Sequence, residues 1–409
     1  GKRTITIIGG GVIGLTAAYA LVREGHDVTL IERREDVGQE ASFANGAQLS
    51  YRYVSPLADA GIARDALGWL FRPNSPISLR LKADPSQWRW LLAFLFACNR
   101  QTNRRNAGVL LDLALSGQAE LQKYRDEGLR EFLWRRPGKL VLYRNATTFH
   151  KAAKSVSDPK RQRALSPSEC ADVEPAFAGL RDKIAGGIFS PEDEVADCFL
   201  FCEALRDALA ATSNFRLIHG NATLTSGPKN RCAVLLDSKP FETDLVVLAA
   251  GIASRKLARP LGIDLPLYGL KGYSLTTRPR PGLVPSVSVT DYDNRVVYAG
   301  LGDRLRVAAM VDIGAQDTRL NPKRLGELRA LVNETLPGAL GQGTQGQGDD
   351  KPWAGLRPAT PTGVPIIDRT RYDNLLLNVG QGALGFTLSV GSALRLKEIV
   401  AGCDSRAVS

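Results

Sequence analysis

The chain has 409 residues, enough for two or three structural units at ~100–200 residues each. An apolar fraction of 44% and a charged fraction of 23% describe an ordinary globular protein, whose core needs no disulfide or metal staple. The net charge of +11 admits nucleic acid, an anionic membrane face or acidic ligands. Lys and Arg are dispersed and nucleic-acid-binding motifs are absent, so no nucleic-acid partner is expected; a membrane surface is the better candidate.

Lys2-Arg3 ahead of residues 5–22 imitates a signal peptide or a membrane span. Gly9, Gly10, Gly11 and Gly14 argue against a continuous helix there, and no A-x-A-like cleavage site follows. Gly1 reads as a cloning remnant. The stretch divides instead into a buried strand at 4–8 (TITII), a Gly turn, and a helix at 12–24 closed by Gly25. A second strand follows at 27–32. Polar turns and aromatics fill 38–57, and 65–135 looks mostly helical. A strand at 140–143 precedes a helix at 166–172, with Pro167 at its first position. Residues 199–211 form a helix, and 215–218, 232–236 and 245–248 form strands. Alternating patterns over 268–310 suit antiparallel strands. A helix at 320–336 leads to the low-complexity loop GQGTQGQGDD at 341–350, a strand at 375–379, a Gly-rich turn and a helix to 400.

The two ends therefore look α/β and the middle α+β. The pattern predicts a Rossmann-like, discontinuous dinucleotide-binding domain over 1–75, 164–256 and 355–409. An inserted substrate domain with a mixed or antiparallel sheet takes 76–163 and 257–354.

Gly9-x-Gly11-x-x-Gly14 lies directly between strand and helix. Gly9 permits the tight turn, Gly11 lets backbone approach a pyrophosphate, and Gly14 lets helix pack on strand. Val12 and Ile13 open the helix, whose free N–H groups face the phosphates. Glu32 ends the next strand, followed by Arg33, and is placed to accept from ribose hydroxyls. The fingerprint alone does not separate FAD from NAD. Two further segments favour FAD. Residues 245–251 form a hydrophobic strand ending in Ala249-Ala250-Gly251, similar to the turn that passes near FAD in amine-oxidase flavoproteins. Residues 380–387 open the last helix with Gly382, Ala383, Leu384, Gly385, Phe386 and Thr387; such a start can aim N–H groups at the flavin's pyrimidine edge.

No metal is expected. Cysteines at 98, 170, 198, 202, 232 and 403 form no CxxC pair and suit a reducing compartment, and histidines occur only at 26, 150 and 219.

Four segments resemble the bacterial D-amino-acid dehydrogenases, a branch of the D-amino-acid oxidase and glycine oxidase-like flavoproteins. They are Ser42-Phe43-Ala44-Asn45-Gly46-Ala47-Gln48-Leu49-Ser50, the run SPEDEVADC at 190–198, PLYGLKGYS at 266–274, and Trp353-Ala354-Gly355-Leu356-Arg357-Pro358. The resemblance runs in order along nearly the whole chain. It implies non-covalent FAD, cytoplasmic oxidative deamination of a D-amino acid to a 2-oxo acid and ammonia, and reoxidation by quinone or another non-oxygen acceptor. Ser42, Asn45, Gln48 and Ala222 join the expected cofactor contacts. Arg357 becomes the substrate-carboxylate anchor, its planar fork suited to bidentate binding. Tyr273, Tyr298 and Tyr51 become candidates for hydroxyl contacts or gating. Departures from the family pattern are Asn45-Gly46-Ala47 for Asn-Ala-Gly, Gln381 for His, and Asp368 for Gly. Secondary amines such as sarcosine, D-hydroxyproline, glycine or an opine remain alternative substrates. A non-catalytic flavin-binding subunit is an alternative of another class.

Residues 88–98 (WRWLLAFLFAC), flanked by Arg80, Lys82, Arg100, Arg104 and Arg105, are too short to span a bilayer, which needs ~20 apolar residues. They read either as a core helix of the substrate domain or as a peripheral, interfacial segment.

Overall fold

The computed structural model describes residues 1–51, 75–341 and 350–402. The turns expected beyond residue 51, the first part (65–74) of the stretch expected to be mostly helical and most of the 341–350 loop lie outside these residues. The short apolar runs pair in parallel because each is buried on both faces. Thr4–Ile8 is flanked by Asp27–Glu32 and Leu245–Leu248. The six-stranded sheet runs Ile366–Arg369, Leu375–Val379, Leu245–Leu248, Thr4–Ile8, Asp27–Glu32, Phe215–His219. Only Ile366–Arg369 is antiparallel. Asp368 sits there, on an exposed edge strand, which tolerates its departure from Gly.

Helix Val12–Arg23 packs on this sheet and against Gly385–Ala401, where Thr16 Oγ1 donates to Ser389 O at 3.1 Å. Helix Arg100–Asp126 crosses Gly385–Ala401 at close range. A Cβ on Gly391 would lie 1.9 Å from Leu113 O, and one on Gly117 would lie 2.8 Å from Gly391 N. Leu110, Ala114, Leu121 and Tyr124 thus enter the core of the dinucleotide-binding unit. The expected boundary gave this helix to the substrate domain; its apolar stripe packs on the other side.

A nine-stranded mixed sheet forms the second unit. It runs Lys351–Ala359, Tyr268–Thr277, Arg304–Ile313, Val296–Leu301, Ser288–Asp291, Lys139–Tyr143, Gly186–Ser190, Arg163–Leu165. Ile77–Leu79 pairs alongside Arg304–Ile313. Strands at 163–165, 186–190 and 351–359 join this sheet although the expected boundaries placed most of their residues in the dinucleotide-binding domain. Helix Pro322–Thr335 covers one face through Leu325, Leu328 and Val332. The other face looks onto the first unit.

Helix Pro85–Ala97 starts at Asp84, whose side chain accepts from Ser86 N. It is half a core helix. Trp90 is buried against Tyr268, with Nε1 donating to Ala359 O at 2.9 Å. Trp88, Leu92, Leu95 and Phe96 face outward, Phe96 with 80% exposure. No described helix is long and apolar enough to cross a membrane.

Candidate active site

A cleft of about 1840 Å³ lies between the two sheets, reaching from the Gly9–Gly11 turn to Arg357. At its first end the glycines are required by space. A Cβ on Gly9, whose φ is +112°, would sit 2.5 Å from Ala249 O, and one on Gly14 would sit 1.8 Å from Gly9 O. Gly14 is the one expected cofactor residue that does not line the cleft; it lets the helix press on the turn. A Cβ on Gly11 would meet only Ser42 Oγ, at 3.4 Å, so a ligand can approach the backbone there. No residue caps the helix through its own N-cap side chain; Ser42 Oγ, reaching in from the next loop, accepts from Val12 N at 3.0 Å. Glu32 is buried and accepts from Gly10 N at 2.7 Å and Arg34 N at 2.8 Å. Those bonds aim its carboxylate across the turn and leave lone pairs for ribose hydroxyls. Arg33 lines the same end, its guanidinium held by Glu40.

Gly9, Gly11, Val12, Ile13, Glu32, Arg33, Ser42, Asn45 and Gln48 all border this one cleft. So do Ala222, Ala250, Gly251 and 382–387. Gly251 takes φ +54°, turning the chain away after the Leu245–Leu248 strand. Helix Gly385–Ala401 begins at the cleft with no side-chain cap, so its first-turn N–H groups present partial positive charge. The departures in the loop have a visible consequence. Ala47 adopts φ +56°, the conformation that favours glycine, and Asn45 Oδ1 accepts from its N–H at 3.1 Å. Gly46 has no positive φ. Gln381 is buried and donates to Asn378 Oδ1 at 2.7 Å.

At the far end, Arg357 projects from the edge strand Lys351–Ala359 across the neighbouring strand. Gly272 makes this possible: a Cβ there would lie 2.2 Å from Arg357 Nη2. A bulge sits opposite, because Lys271 pairs Asp312 and Tyr273 pairs Ala309, leaving one extra residue between. In it Met310 takes φ +70° and its carbonyl accepts from Arg357 Nη1 at 3.0 Å. Among the described residues that is this guanidinium's only hydrogen bond, and it makes no ion pair with them. Burial holds its pKa down at about 10, opposed by Asp312, so it stays charged at neutral pH. Asp312 is committed elsewhere, to Arg324 at 2.8 Å and to the Tyr273 hydroxyl at 3.1 Å. A half-buried guanidinium with unused donors facing a cleft suits an anionic acceptor there.

Of the three tyrosines, only Tyr273 lines the cleft. Its hydroxyl donates to Asp312, and burial pushes its pKa well up, so it braces the wall. Tyr298 lies on the other face of the nine-stranded sheet, edge-on to Phe177 at 5.1 Å. Strand pleating turns Val297 to the cleft and Tyr298 away. Tyr51 is buried with its hydroxyl donating to Glu194 at 3.0 Å, outside the cleft. Glu194 also accepts from Trp134 Nε1 and Arg136, so Tyr51 staples its loop to the scaffold. Lys139, Ser50 and Met310 line the cleft and were not expected. No group of three or more His, Cys, Asp or Glu able to hold a metal occurs among the described residues.

The cleft has the volume for a dinucleotide, with the glycine turn, helix start and carboxylate at one end and a cation at the other. Comparison with known proteins agrees. The model of the family DAO, FAD dependent oxidoreductase, matches residues 4–399. The chain is 50% identical over 402 residues to D-amino acid dehydrogenase 2 of Pseudomonas aeruginosa, covering 96% of this chain and 94% of that protein. It is 42% identical to D-amino acid dehydrogenase 2 of Ralstonia nicotianae, covering 97% and 96%. In fold it is similar to glycine oxidase from Bacillus cereus, with a TM-score of 0.74, 18% identity and 98% and 95% coverage. A second structure, iminodiacetate oxidase from Chelativorans, gives a TM-score of 0.72 at 22% identity, with 97% and 95% coverage. A family match over nearly the whole length, on a cleft built for a dinucleotide, means that this chain belongs to the DAO family of FAD-dependent oxidoreductases.

Proposed function

We propose that the protein is a D-amino-acid dehydrogenase that converts a D-amino acid to the imino acid, which water hydrolyses to a 2-oxo acid and ammonia. The observation that carries this reading is Arg357, a half-buried cation at the end of the cleft that makes no ion pair among the described residues. Its fork would take the substrate carboxylate bidentately, fixing Cα over the cleft. Met310 O and the absence of a side chain at Gly272 hold the guanidinium in place. Tyr273 and Asp312 brace that wall. Gly9, Gly11, Val12, Ile13, Glu32 and Ser42 would hold the adenine-side phosphates and ribose of FAD, without a covalent link; Gly14 acts by packing. Gln48, Gly251 and the 382–387 turn would meet its other half. When bound, FAD supplies the hydride acceptor for the substrate Cα–H. No residue of the chain needs to act as a strong base if the amine arrives neutral. Turnover with a dye acceptor, with 2-oxo acid and ammonia counted against dye reduced, tests the reaction. A yield of one each per two-electron acceptor is expected from D-amino acids, and turnover confined to N-methylated or cyclic amines would refute it.

The same reading extends to the acceptor, proposed to be a membrane quinone reached from a peripheral position. Support comes from Trp88, Leu92, Leu95 and Phe96 on one helix face, with exposed Lys82, Arg104 and Arg105 nearby. Each surface Lys or Arg adds ~1 kcal/mol of attraction to an anionic leaflet. Co-sedimentation with anionic vesicles should weaken as salt shortens the Debye length from ~10 Å at 0.1 M to ~3 Å at 1 M. Phe96→Glu should weaken it further. Trp90, being buried, is not the residue to change. Equal sedimentation of Phe96→Glu and the parent would refute membrane contact by this face.

A further inference from the structure

Lys139 is the buried lysine on the cleft wall, and the mechanism above does not use it. It sits at the start of strand Lys139–Tyr143, between Ser190 and Ser288 on the flanking strands. Its Nζ donates to Ser50 Oγ at 2.9 Å. That bond has a consequence for Ser50. A hydroxyl has one hydrogen and two lone pairs. With an ammonium donating to the oxygen, the hydroxyl hydrogen points elsewhere, and no described residue accepts it. Ser50 itself lines the cleft. Its N–H meets Thr387 Oγ1 at 3.3 Å, in the first turn of the helix that starts at the cleft.

We infer that Lys139 and Ser50 form a charge-assisted donor that the cleft presents to acceptor atoms on the pyrimidine edge of the flavin, and that this donor raises the flavin's potential. The inference rests on the placement of that edge at the 385–387 turn. Two-electron reduction puts negative charge on the pyrimidine edge, so a fixed positive dipole there favours the reduced state. Donation from an ammonium strengthens Ser50 as a donor through cooperative polarisation. Burial pulls the Lys139 pKa down to about 8, and the attraction of Asp193 opposes that fall, so the cation persists at neutral pH. Lys139 is a positioning residue in this scheme: it acts on the ring through Ser50.

The test is the midpoint potential of the FAD-loaded protein by dye equilibration, for Lys139→Gln, Lys139→Arg and Ser50→Ala. FAD content, melting temperature and D-amino-acid turnover are measured on the same samples. Lys139→Gln and Ser50→Ala should each shift the two-electron equilibrium at least tenfold toward oxidised flavin, which is about 30 mV. The double variant should shift little further than Lys139→Gln alone, because the two residues act as one unit. Lys139→Arg should restore most of the shift. If Lys139→Gln does not fold, Ser50→Ala alone decides. A parental potential in folded, FAD-loaded Lys139→Gln or Ser50→Ala overturns the inference, while turnover on those samples reports separately whether D-amino-acid oxidation stands. Additive shifts in the double variant also overturn it.

Discussion

Adding one methyl group at position 272 should disable substrate binding without unfolding the protein. An alanine Cβ there would lie 2.2, 2.4 and 2.6 Å from Nη2, Cζ and Nη1 of Arg357. Ordinary contact begins near 3.4 Å, so the guanidinium must retreat by about 1.2 Å (3.4 − 2.2). The clashing atoms are the far end of a flexible side chain, and Gly272 has no positive φ, so the fold accommodates the change. The retreat breaks the 3.0 Å bond to Met310 O and misplaces the fork proposed to orient the substrate. A 1 Å error in positioning costs on the order of 100-fold, about 2.7 kcal/mol of transition-state stabilisation. Steady-state kinetics on a D-amino acid with a dye acceptor measure it, alongside FAD content and melting temperature. Folded, yellow Gly272→Ala with parental kcat/KM would refute the assignment of Arg357 as anchor.

Arg357→Lys keeps the charge but loses the fork, so kcat/KM should fall about 10- to 150-fold, from 1.5–3 kcal/mol for a charged hydrogen bond, at normal FAD content. Tyr298→Phe should leave kcat/KM within about twofold, since that hydroxyl faces away from the cleft; a larger loss would return Tyr298 to the site. The exchange Gly46→Ala with Ala47→Gly should raise stability to denaturant by up to about 1 kcal/mol. It removes Ala47 from φ +56°, and a Cβ on Gly46 meets only ordinary contacts at 3.6 and 3.7 Å. Stripping FAD by acid or heat should release it unaltered into the supernatant. The apoprotein should be less stable than enzyme with free FAD at 100 times its Kd by about 2.7 kcal/mol, read by thermal shift.

The dinucleotide end was legible because its signal is local. Strand, glycine turn, helix and Glu32 occupy fewer than 30 consecutive residues, and Gly9 and Gly14 each meet a clash that any side chain would cause. At the far end Arg357 was singled out only through family likeness, and it does line the cleft. Its strand was not read as one, because Gly355 and Pro358 look like turn residues; Pro358 is tolerated since Lys351–Ala359 is an edge strand. Tyr298 was misassigned by one step of the pleat, which no composition rule sets without knowing which face is covered. Tyr51 turns to Glu194, 143 residues away, a partner invisible to local patterns. Lys139 and Ser50 meet across 89 residues for the same reason. Domain boundaries failed where a strand such as Gly186–Ser190 joins a sheet whose other members come from distant segments.

The central claim is that an FAD held between these two sheets takes hydride from a D-amino acid anchored by its carboxylate. Anaerobic mixing of the purified yellow protein with D- and L-amino acids, followed at the main visible flavin band, tests it most directly. Rapid bleaching by one or more D-amino acids is predicted, with none from their L-enantiomers or from the matching carboxylate-free amines. A flavin that dithionite reduces but no D-amino acid bleaches, or one bleached equally by the carboxylate-free amines, would contradict the account.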